Sequence, residues 1–464
     1  MKTTAKRSFV LLFLVGAVIT GLIVLSVRFV LYGKEWVMLD VNEHHSQDEH
    51  FVSSGNIVDR NGVILAYTED GERCYHESER IRRSTLHIVG DPEGNIIAVQ
   101  TAYKEELVGY NPVTGMYSYV KNGRGNDLVL TIDAEISAIA YDALDGRNGV
   151  VAAYNYETGE IICCVSSPNF DVHNKPSDED INANVGGQYE GLYMNKVISG
   201  LYTPGSTFKV ITATCAVENI PDIYDWQYTC TGSAYFEGSE NPVTCPNRHG
   251  TMTFEECFSN SCNCAFATLA VELGEDKLMA TAEEYGFNTP YAFGSQQTED
   301  SFIDLSDATD IQVGWTGVGQ HETLVNPYHM LTVMGSIANG GEAVLPYVVS
   351  QIVSPEGDVI KTTEPQTVSY ISSDVASDVS GLMRYTVENK YGDSNFQNLS
   401  MCGKTGTAEV GEGLDDHTWF VGFSQNSSCP VAIVVMVENS GGWGSSVAMP
   451  IASTVMSEIY KTMA

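Results

Sequence analysis

A serine and a lysine at short spacing form the first pair of residues that could carry chemistry. The stretch YTPGSTFKV, residues 202–210, places Ser206 three residues before Lys209, directly after a Pro-Gly turn. Residues three apart on a helix share one face, and a serine becomes a nucleophile when a base lies beside it. The alternative is an ordinary N-cap serine with a surface lysine. The pair alone does not decide, because Ser118 and Lys121 have the same spacing.

Two further motifs favour the catalytic interpretation. Residues 261–263 read Ser-Cys-Asn early in a predicted helix, and residues 404–407 read Lys-Thr-Gly-Thr at the start of a predicted strand. Ser-x-Asn is weak evidence by itself, since four other serines of the chain begin one. Lys-Thr-Gly occurs once in the chain. Glycine within a short strand marks a close approach to the backbone, which predicts space for a ligand beside this strand.

The bulk composition describes a globular protein that does not bind nucleic acid. The 464 residues allow two or three domains. A hydrophobic content of 43% with 18% charged residues excludes broad disorder. The net charge of −35 argues against nucleic acid, since phosphate binding rests on clusters of lysine and arginine.

The N-terminus predicts a membrane anchor. Lys2, Lys6 and Arg7 precede an uncharged run over residues 9–27, which as a helix spans roughly 28 Å, close to the hydrocarbon thickness of a bilayer. Positive charge before the run and acidic sequence beyond it predict a cytoplasmic N-terminus. A cleaved signal peptide is the alternative, but the run is long and no A-x-A-like site follows. We therefore expect a single-pass protein of the cell membrane with an extracytoplasmic body.

The eleven cysteines raise two questions. Outside the membrane they suggest disulfides, with Cys230 and Cys245 as the most plausible pair. Cys245, His249, Cys262 and Cys264 are residue types that bind zinc. Their spacing does not match a familiar zinc ribbon, so we expect no metal.

Strands from both ends of the chain are predicted to form one sheet. Residues 149–167 read as a hairpin of two apolar strands, in which Cys163 and Cys164 are core residues. Residues 401–409, 418–424 and 431–438 read as three further strands, and a helix over 446–462 ends the chain. The intervening 170–345 is mostly helical, with a helix over 206–218. A sheet built from both ends with helices inserted is an α+β layered domain.

A smaller α+β module is predicted before this domain. Asn61-Gly62 between apolar runs indicates a hairpin over residues 57–67. Short strands are expected at 86–89, 96–100 and 127–132. Asp133 is expected to cap a helix that ends near residue 144.

In this order, Ser-x-x-Lys, Ser-x-Asn and Lys-Thr-Gly form the signature of penicillin-binding proteins and related β-lactamases. The flanking segments GNIVDRNGVILA, GNDLVLTIDAEI, GVVAAYNYETGEI, VSSPNFD, NKVISGLYTPGSTFK, IANGG and GKTGTAE also occur in family order. The chain thus resembles class B penicillin-binding proteins over nearly its whole predicted extracytoplasmic part. The resemblance implies an anchor (1–34), a small α+β pedestal or dimerisation-like module (35–145) and a transpeptidase domain (146–464). That last domain would combine an antiparallel sheet flanked by helices with a mostly helical subdomain.

The resemblance also implies roles in proton transfer. Ser206 would be the nucleophile and Lys209 its base, with a pKa lowered by burial and by a nearby cation such as Lys404. Ser261 would relay a proton between Lys209 and the departing amine. The backbone N–H groups of Ser206 and Thr407 would hold the oxyanion.

The substrate implied by the resemblance is the acyl-D-alanyl-D-alanine end of a peptidoglycan stem peptide. Asn263 would hold its amide, while Lys404, Thr405 and Thr407 would bind its terminal carboxylate and Gly406 would keep the groove open. β-Lactams mimic this substrate and would acylate the same serine. No metal or organic cofactor is implied.

The leading hypothesis is therefore a peptidoglycan D,D-transpeptidase that docks onto a SEDS-family glycosyltransferase. The alternatives are a D,D-carboxypeptidase, a penicillin-sensing or penicillin-hydrolysing relative, and a non-catalytic scaffold of wall synthesis. The chain departs from the family pattern at Ser54, where an arginine usually precedes the glycine of the first pedestal motif. Its pedestal is also short for this family.

Overall fold

The computed structural model describes residues 12–28, 53–111, 116–117, 123–183, 187–237, 239–294, 296–411 and 413–463. Its strands are β1 Ile57–Val58, β2 Ile64–Glu69, β3 Glu72–Tyr75, β4 Tyr110–Asn111, β5 Met116–Tyr117, β6 Asp127–Leu130, β7 Gly149–Asn155, β8 Ile161–Ser167, β9 Gln227–Cys230, β10 Ser233–Ala234, β11 Val243–Thr244, β12 Gly250–Thr253, β13 Ala292–Phe293, β14 Gln296–Gln297, β15 Glu342–Val344, β16 Val349–Val353, β17 Val359–Thr362, β18 Thr367–Ser369, β19 Met401–Ala408, β20 His417–Ser424 and β21 Val431–Val437.

Its α-helices are α1 (12–28), α2 Glu79–Val89, α3 Val99–Ala102, α4 Lys104–Val108, α5 Ala134–Leu144, α6 Asp178–Ala183, α7 Lys196–Ser199, α8 Lys209–Asn219, α9 Phe254–Ser259, α10 Asn263–Leu273, α11 Glu275–Glu284, α12 Asp310–Gly317, α13 Pro327–Ala338, α14 Ser373–Thr386 and α15 Ala448–Met463. Short 3₁₀ turns occur at Gly205–Thr207, Ile223–Asp225 and Asp393–Asn395, and a short π-helix follows α14 at Val387–Tyr391.

The predicted sheet from both chain ends is confirmed. Five strands pair in the order β19-β20-β21-β7-β8, and all neighbours are antiparallel. Successive residues of β7 enter opposite cores, with Val150 packing into the core that includes α13 and Val151 into the core that includes α5 and α15. Covering both faces explains the continuous apolar run of β21, since each buried valine contributes roughly 1.5–3 kcal/mol.

The second sheet combines strands from distant parts of the chain in the order β17-β16-β6-β1-β2-β3. The predicted hairpin over 57–67 is confirmed, because β1 and β2 pair antiparallel with Ile57 opposite Ala66. The capping prediction is also confirmed: the Asp133 carboxylate accepts hydrogen bonds from the backbone N–H groups of Glu135 and Ile136. β16 and β17 join this sheet from far along the chain, at residues 349–362.

Two predicted strands are wrong. Residues 86–89 form the last turn of α2, and residues 96–100 are a loop that runs into α3. The first error arose because four consecutive buried residues are too few to distinguish the period of a helix from that of a strand. The charged segment ERIRRS at the start of α2 also differs so much from this buried end that the two did not read as one helix. In the second segment, the Asp91 carboxylate accepts a hydrogen bond from Ile96 N–H, and the Thr101 hydroxyl accepts one from Ala98 N–H. These side chains replace the partners that a neighbouring strand would supply.

The predicted anchor is only partly covered, since residues 1–11 and 29–52 lie outside the described ranges. Within those ranges, no helix combines the length and the apolar character that crossing a membrane requires. α1 carries exposed apolar side chains along residues 12–27.

Candidate active site

Ser206 lies in a tight turn that is pressed against the edge strand β19. The turn Gly205–Thr207 is 3₁₀, so α8 begins at Lys209 rather than at 206 as predicted. Gly205 has a φ of +52°, and a Cβ built there would lie 2.4 Å from the carbonyl oxygen of Thr407. Only glycine fits this position. The Pro-Gly pair therefore sets Ser206 beside β19 at the start of a helix.

Lys209 lies at the centre of the polar contacts. Its Nζ is 3.0 Å from Ser206 Oγ and 3.2 Å from Ser261 Oγ. It is 2.7 Å from both the carbonyl oxygen of Ser261 and Oδ1 of Asn263. Two helix starts, α8 and α10, thus bring the first two motifs together around one amine.

Lys404 reaches the same group of residues from β19. Its Nζ lies 3.0 Å from Ser261 Oγ and 3.1 Å from the carbonyl oxygen of Thr405. The Ser261 hydroxyl therefore lies between the two lysines. Ser261 has a φ of +54°, a left-handed conformation that costs of order 1–3 kcal/mol for a non-glycine residue and is typical of functional sites.

Burial changes the electrostatics of both lysines. Their side chains are fully buried, and burial lowers the pKa of Lys209 to about 8, against a smaller opposing effect of nearby cysteine thiols. Burial, followed by the charge of Lys209, holds the pKa of Lys404 well below its usual range. At pH 7 roughly a tenth of Lys209 is then the free amine, far more than for a lysine with the ordinary pKa near 10.4, and this neutral form can accept the proton of Ser206.

The remaining residues of the third motif make contacts that the sequence did not predict. The Thr405 backbone N–H donates to the Tyr391 hydroxyl over 3.0 Å, and the two side-chain hydroxyls are 2.9 Å apart. The Thr407 hydroxyl accepts from Gly444 N–H over 3.2 Å. No motif marks Tyr391 or Gly444 in the sequence, because only tertiary packing brings the turns that follow α14 and precede α15 to β19.

The structure gives a reason for glycine at position 406 that differs from the predicted open groove. A Cβ at this position would lie 2.7 Å from the carbonyl oxygen of Pro204 and 3.0 Å from Thr207 Cγ2. The glycine therefore lets β19 pack against the turn that carries Ser206. Ser118 and Lys121, the other Ser-x-x-Lys pair, lie outside the described residues.

The arrangement agrees with comparisons to known proteins. Residues 149–457 match the family model of the penicillin-binding protein transpeptidase domain. The chain is a class B penicillin-binding protein. The peptidoglycan D,D-transpeptidase PbpA of Mycolicibacterium smegmatis is 30% identical, over 71% of this chain and 72% of that protein. Stage V sporulation protein D of Bacillus subtilis is 26% identical, over 86% and 65% respectively.

Solved structures of other penicillin-binding proteins share the fold. The ceftriaxone acyl-enzyme complex of penicillin-binding protein A from M. tuberculosis has a TM-score of 0.78 and 26% identity, covering 89% of this chain and 99% of that chain. A D,D-transpeptidase domain from Eggerthella lenta has a TM-score of 0.74 and 26% identity, covering 88% and 99%. The predicted α+β transpeptidase fold is confirmed by these likenesses.

A buried ion pair supports the turn that carries Ser206 in this penicillin-binding protein. Lys196 Nζ lies 2.7 Å from Oε1 of Glu438. The Glu438 carboxylate also accepts a hydrogen bond of 2.8 Å from the hydroxyl of Tyr202. The indole N–H of Trp419 donates to the Thr203 carbonyl oxygen over 3.0 Å. Trp419 is fully buried, in agreement with its predicted core position. Residues 202 and 203, just before the Pro-Gly turn, are thus held from two sides.

Replacing Glu438 with glutamine is expected to destabilise the protein by about 3–5 kcal/mol, because it leaves the Lys196 ammonium buried without a counter-charge. Chemical unfolding would measure the change in free energy. Glu458→Gln is the matched control, since it breaks an exposed pair with Lys461 whose contribution is about 0–1 kcal/mol. Equal effects of the two substitutions would contradict the predicted role of the buried pair.

Proposed function

We infer that this chain is a peptidoglycan D,D-transpeptidase that acts through an acyl-Ser206 intermediate. The observation that carries the inference is the buried amine of Lys209, which lies within hydrogen-bond distance of both the Ser206 and Ser261 hydroxyls. An activated serine with a second proton carrier beside it is the arrangement that acyl transfer needs.

Acylation begins with proton transfer. The neutral amine of Lys209 takes the Ser206 proton while Oγ attacks the carbonyl carbon between the two D-alanines of a stem peptide. The backbone N–H groups of Ser206 and Thr407 stabilise the oxyanion. The proton then passes through the Ser261 hydroxyl to the nitrogen of the terminal D-alanine. The C–N bond breaks, free D-alanine leaves, and the stem remains as an ester on Ser206.

The second half-reaction uses the same groups in reverse. An amine of a neighbouring stem attacks the ester carbonyl, loses its proton to the Ser261 and Lys209 pair, and forms the cross-linking amide. Ser206 recovers its proton. Lys404, Thr405 and Thr407 bind the carboxylate of the departing D-alanine, and Asn263 binds the donor amide.

The products distinguish this function from D,D-carboxypeptidase activity. The purified chain, incubated with a donor ending in D-alanyl-D-alanine and an amine acceptor, should yield a cross-linked dimer and one D-alanine per cross-link. Mass spectrometry of the products would show this. A product set limited to the shortened donor and D-alanine, at every acceptor concentration, would replace the proposal with a carboxypeptidase.

Anchoring and partnership are further parts of the proposal. The uncharged run at 9–27 behind Lys2, Lys6 and Arg7 supports a single-pass anchor with a cytoplasmic N-terminus. The anchor and pedestal would dock onto a SEDS-family glycosyltransferase that supplies nascent strands. Co-purification from membranes tests the partnership, with the chain lacking residues 1–34 as the control. Recovery that is equal with and without those residues would contradict docking through the anchor.

A further inference from the structure

Three cysteines and a histidine converge beside the second catalytic motif. Cys230 ends β9, Cys245 and His249 lie in the connection between β11 and β12, and Cys262 is the N-cap residue of α10. One ligand atom from each of the four side chains lies within 4.8 Å of all the others. The pairing of β9 with β12 brings Cys230 into the group, because Gly250 lies directly opposite it.

The spacing within the cluster fits one metal ion. Cys245 Sγ and Cys262 Sγ are 3.6 Å apart. Two thiolates bound to one tetrahedral zinc at about 2.3 Å lie roughly 3.8 Å from each other. Three cysteines with one histidine are a ligand set of structural zinc sites. The predicted pairing of Cys230 with Cys245 in a disulfide is not found, since all eleven cysteines are free thiols.

The surrounding groups also suit a cation held by thiolates. Backbone N–H groups donate to both sulfurs, from Cys264 to Cys245 Sγ over 3.3 Å and from Ala265 to Cys262 Sγ over 3.4 Å. Such donors can stabilise the negative charge that each sulfur carries when it is bound to a metal. His249 Nδ1 is buried without a hydrogen-bond partner among the described residues. A buried ring nitrogen left in this way is costly unless something binds there.

We propose that Cys230, Cys245, His249 and Cys262 bind one zinc ion. Binding replaces the three thiol protons, which are released to solvent. Cys264, considered with this group from the sequence, has a supporting role instead. Its N–H donates to Cys245 Sγ, and its thiol points to the Val243 carbonyl oxygen.

The site would hold the second catalytic motif in place. Cys262 lies between Ser261 and Asn263, so its bond to the metal would anchor the segment in which Ser261 is strained at a φ of +54°. Asn263 Nδ2 donates to the Thr244 carbonyl oxygen over 2.9 Å, one residue before Cys245. The metal would therefore link the segment between β9 and β12 to the groups that contact Lys209 and Lys404.

Metal content tests the proposal. The full-length chain, purified under reducing conditions, should contain one zinc per chain by plasma mass spectrometry. A chain in which Co²⁺ replaces zinc should show the intense visible absorption of tetrahedral cobalt thiolate. Cys230→Ser combined with His249→Ala should lower the zinc content at least tenfold. The matched control is Cys74→Ser, which removes a thiol outside the cluster and should leave the zinc content unchanged.

Removing the metal from the wild-type chain gives a second test, and this test does not depend on whether a variant folds. A strong chelator should lower the melting temperature and slow acylation of Ser206 by about tenfold or more, and added zinc should restore both. Zinc content below one per ten chains in the wild-type protein would overturn the proposal. Isolation of a Cys245–Cys262 disulfide peptide as the main species would overturn it too. Equal zinc in the double variant and the wild type would place the metal elsewhere.

Discussion

Replacing Ser206 with alanine is expected to abolish covalent labelling by benzylpenicillin. The hydroxyl oxygen is the atom that would bond to the opened β-lactam carbonyl, and removing a serine nucleophile costs on the order of 10⁶ in rate in well-studied hydrolases. Intact-mass spectrometry of the full-length chain should show one penicilloyl adduct on the wild type and none on Ser206→Ala.

Ser118→Ala provides the matched control, because it removes the serine of the other Ser-x-x-Lys sequence and should leave the adduct unchanged. An adduct on Ser206→Ala would assign the nucleophile to another residue. Rapid loss of the wild-type adduct with consumption of the antibiotic would indicate a β-lactamase. A folded wild-type chain that forms no adduct would favour the alternative of a non-catalytic scaffold of wall synthesis.

The rate of acylation is expected to rise with pH, reach half its maximum near pH 8 and level off above pH 9. Burial lowers the pKa of Lys209 to about 8, and the base must be neutral to accept the Ser206 proton. Below that pKa the neutral fraction falls about tenfold per pH unit, so the second-order rate constant should fall with it. Measuring the rate constant for benzylpenicillin between pH 5.5 and 9.5 would give the profile.

Lys209→Ala should lower the plateau rate by roughly 10²–10⁴, the range for loss of a general base, and should remove the inflection near pH 8. Lys461→Ala, which changes an exposed lysine of α15, should leave both rate and profile as they are. A wild-type profile that continues to rise to pH 9.5, with no inflection near pH 8, would contradict a buried Lys209 as the base. Loss of the inflection in Lys461→Ala would also contradict it.

The turn that carries the first motif was readable in the sequence because it has a local cause. Pro204-Gly205 before Ser206 forces a turn, and the glycine has the positive φ that this turn requires. The sheet was readable because β-branched runs in β7, β8 and β21 are buried on both faces. These signals can be read from the sequence because they depend on residues that are neighbours along the chain.

Other features depend on contacts between residues far apart in sequence. Tyr391 meets Thr405, and Lys196 meets Glu438, through tertiary packing that no local pattern encodes. The misassigned strand at 86–89 belongs to α2, whose pattern appears only over its full 11 residues. The ligand spacing of the cysteine cluster was similarly obscured, because Cys230 reaches the others only through the pairing of β9 with β12.

The position of β19 at the edge of its sheet has a consequence for solubility and for the length of peptide that can bind. An uncovered strand edge can pair with any extended chain, including a strand of another copy of the protein. Backbone N–H groups two residues apart point to the same side of a strand, so those of Thr405 and Thr407 share the outer edge. The Thr405 N–H already donates its hydrogen bond to the Tyr391 hydroxyl. Strand pairing by a peptide therefore ends at Thr405, which restricts the edge to a short segment and disfavours edge-to-edge aggregation.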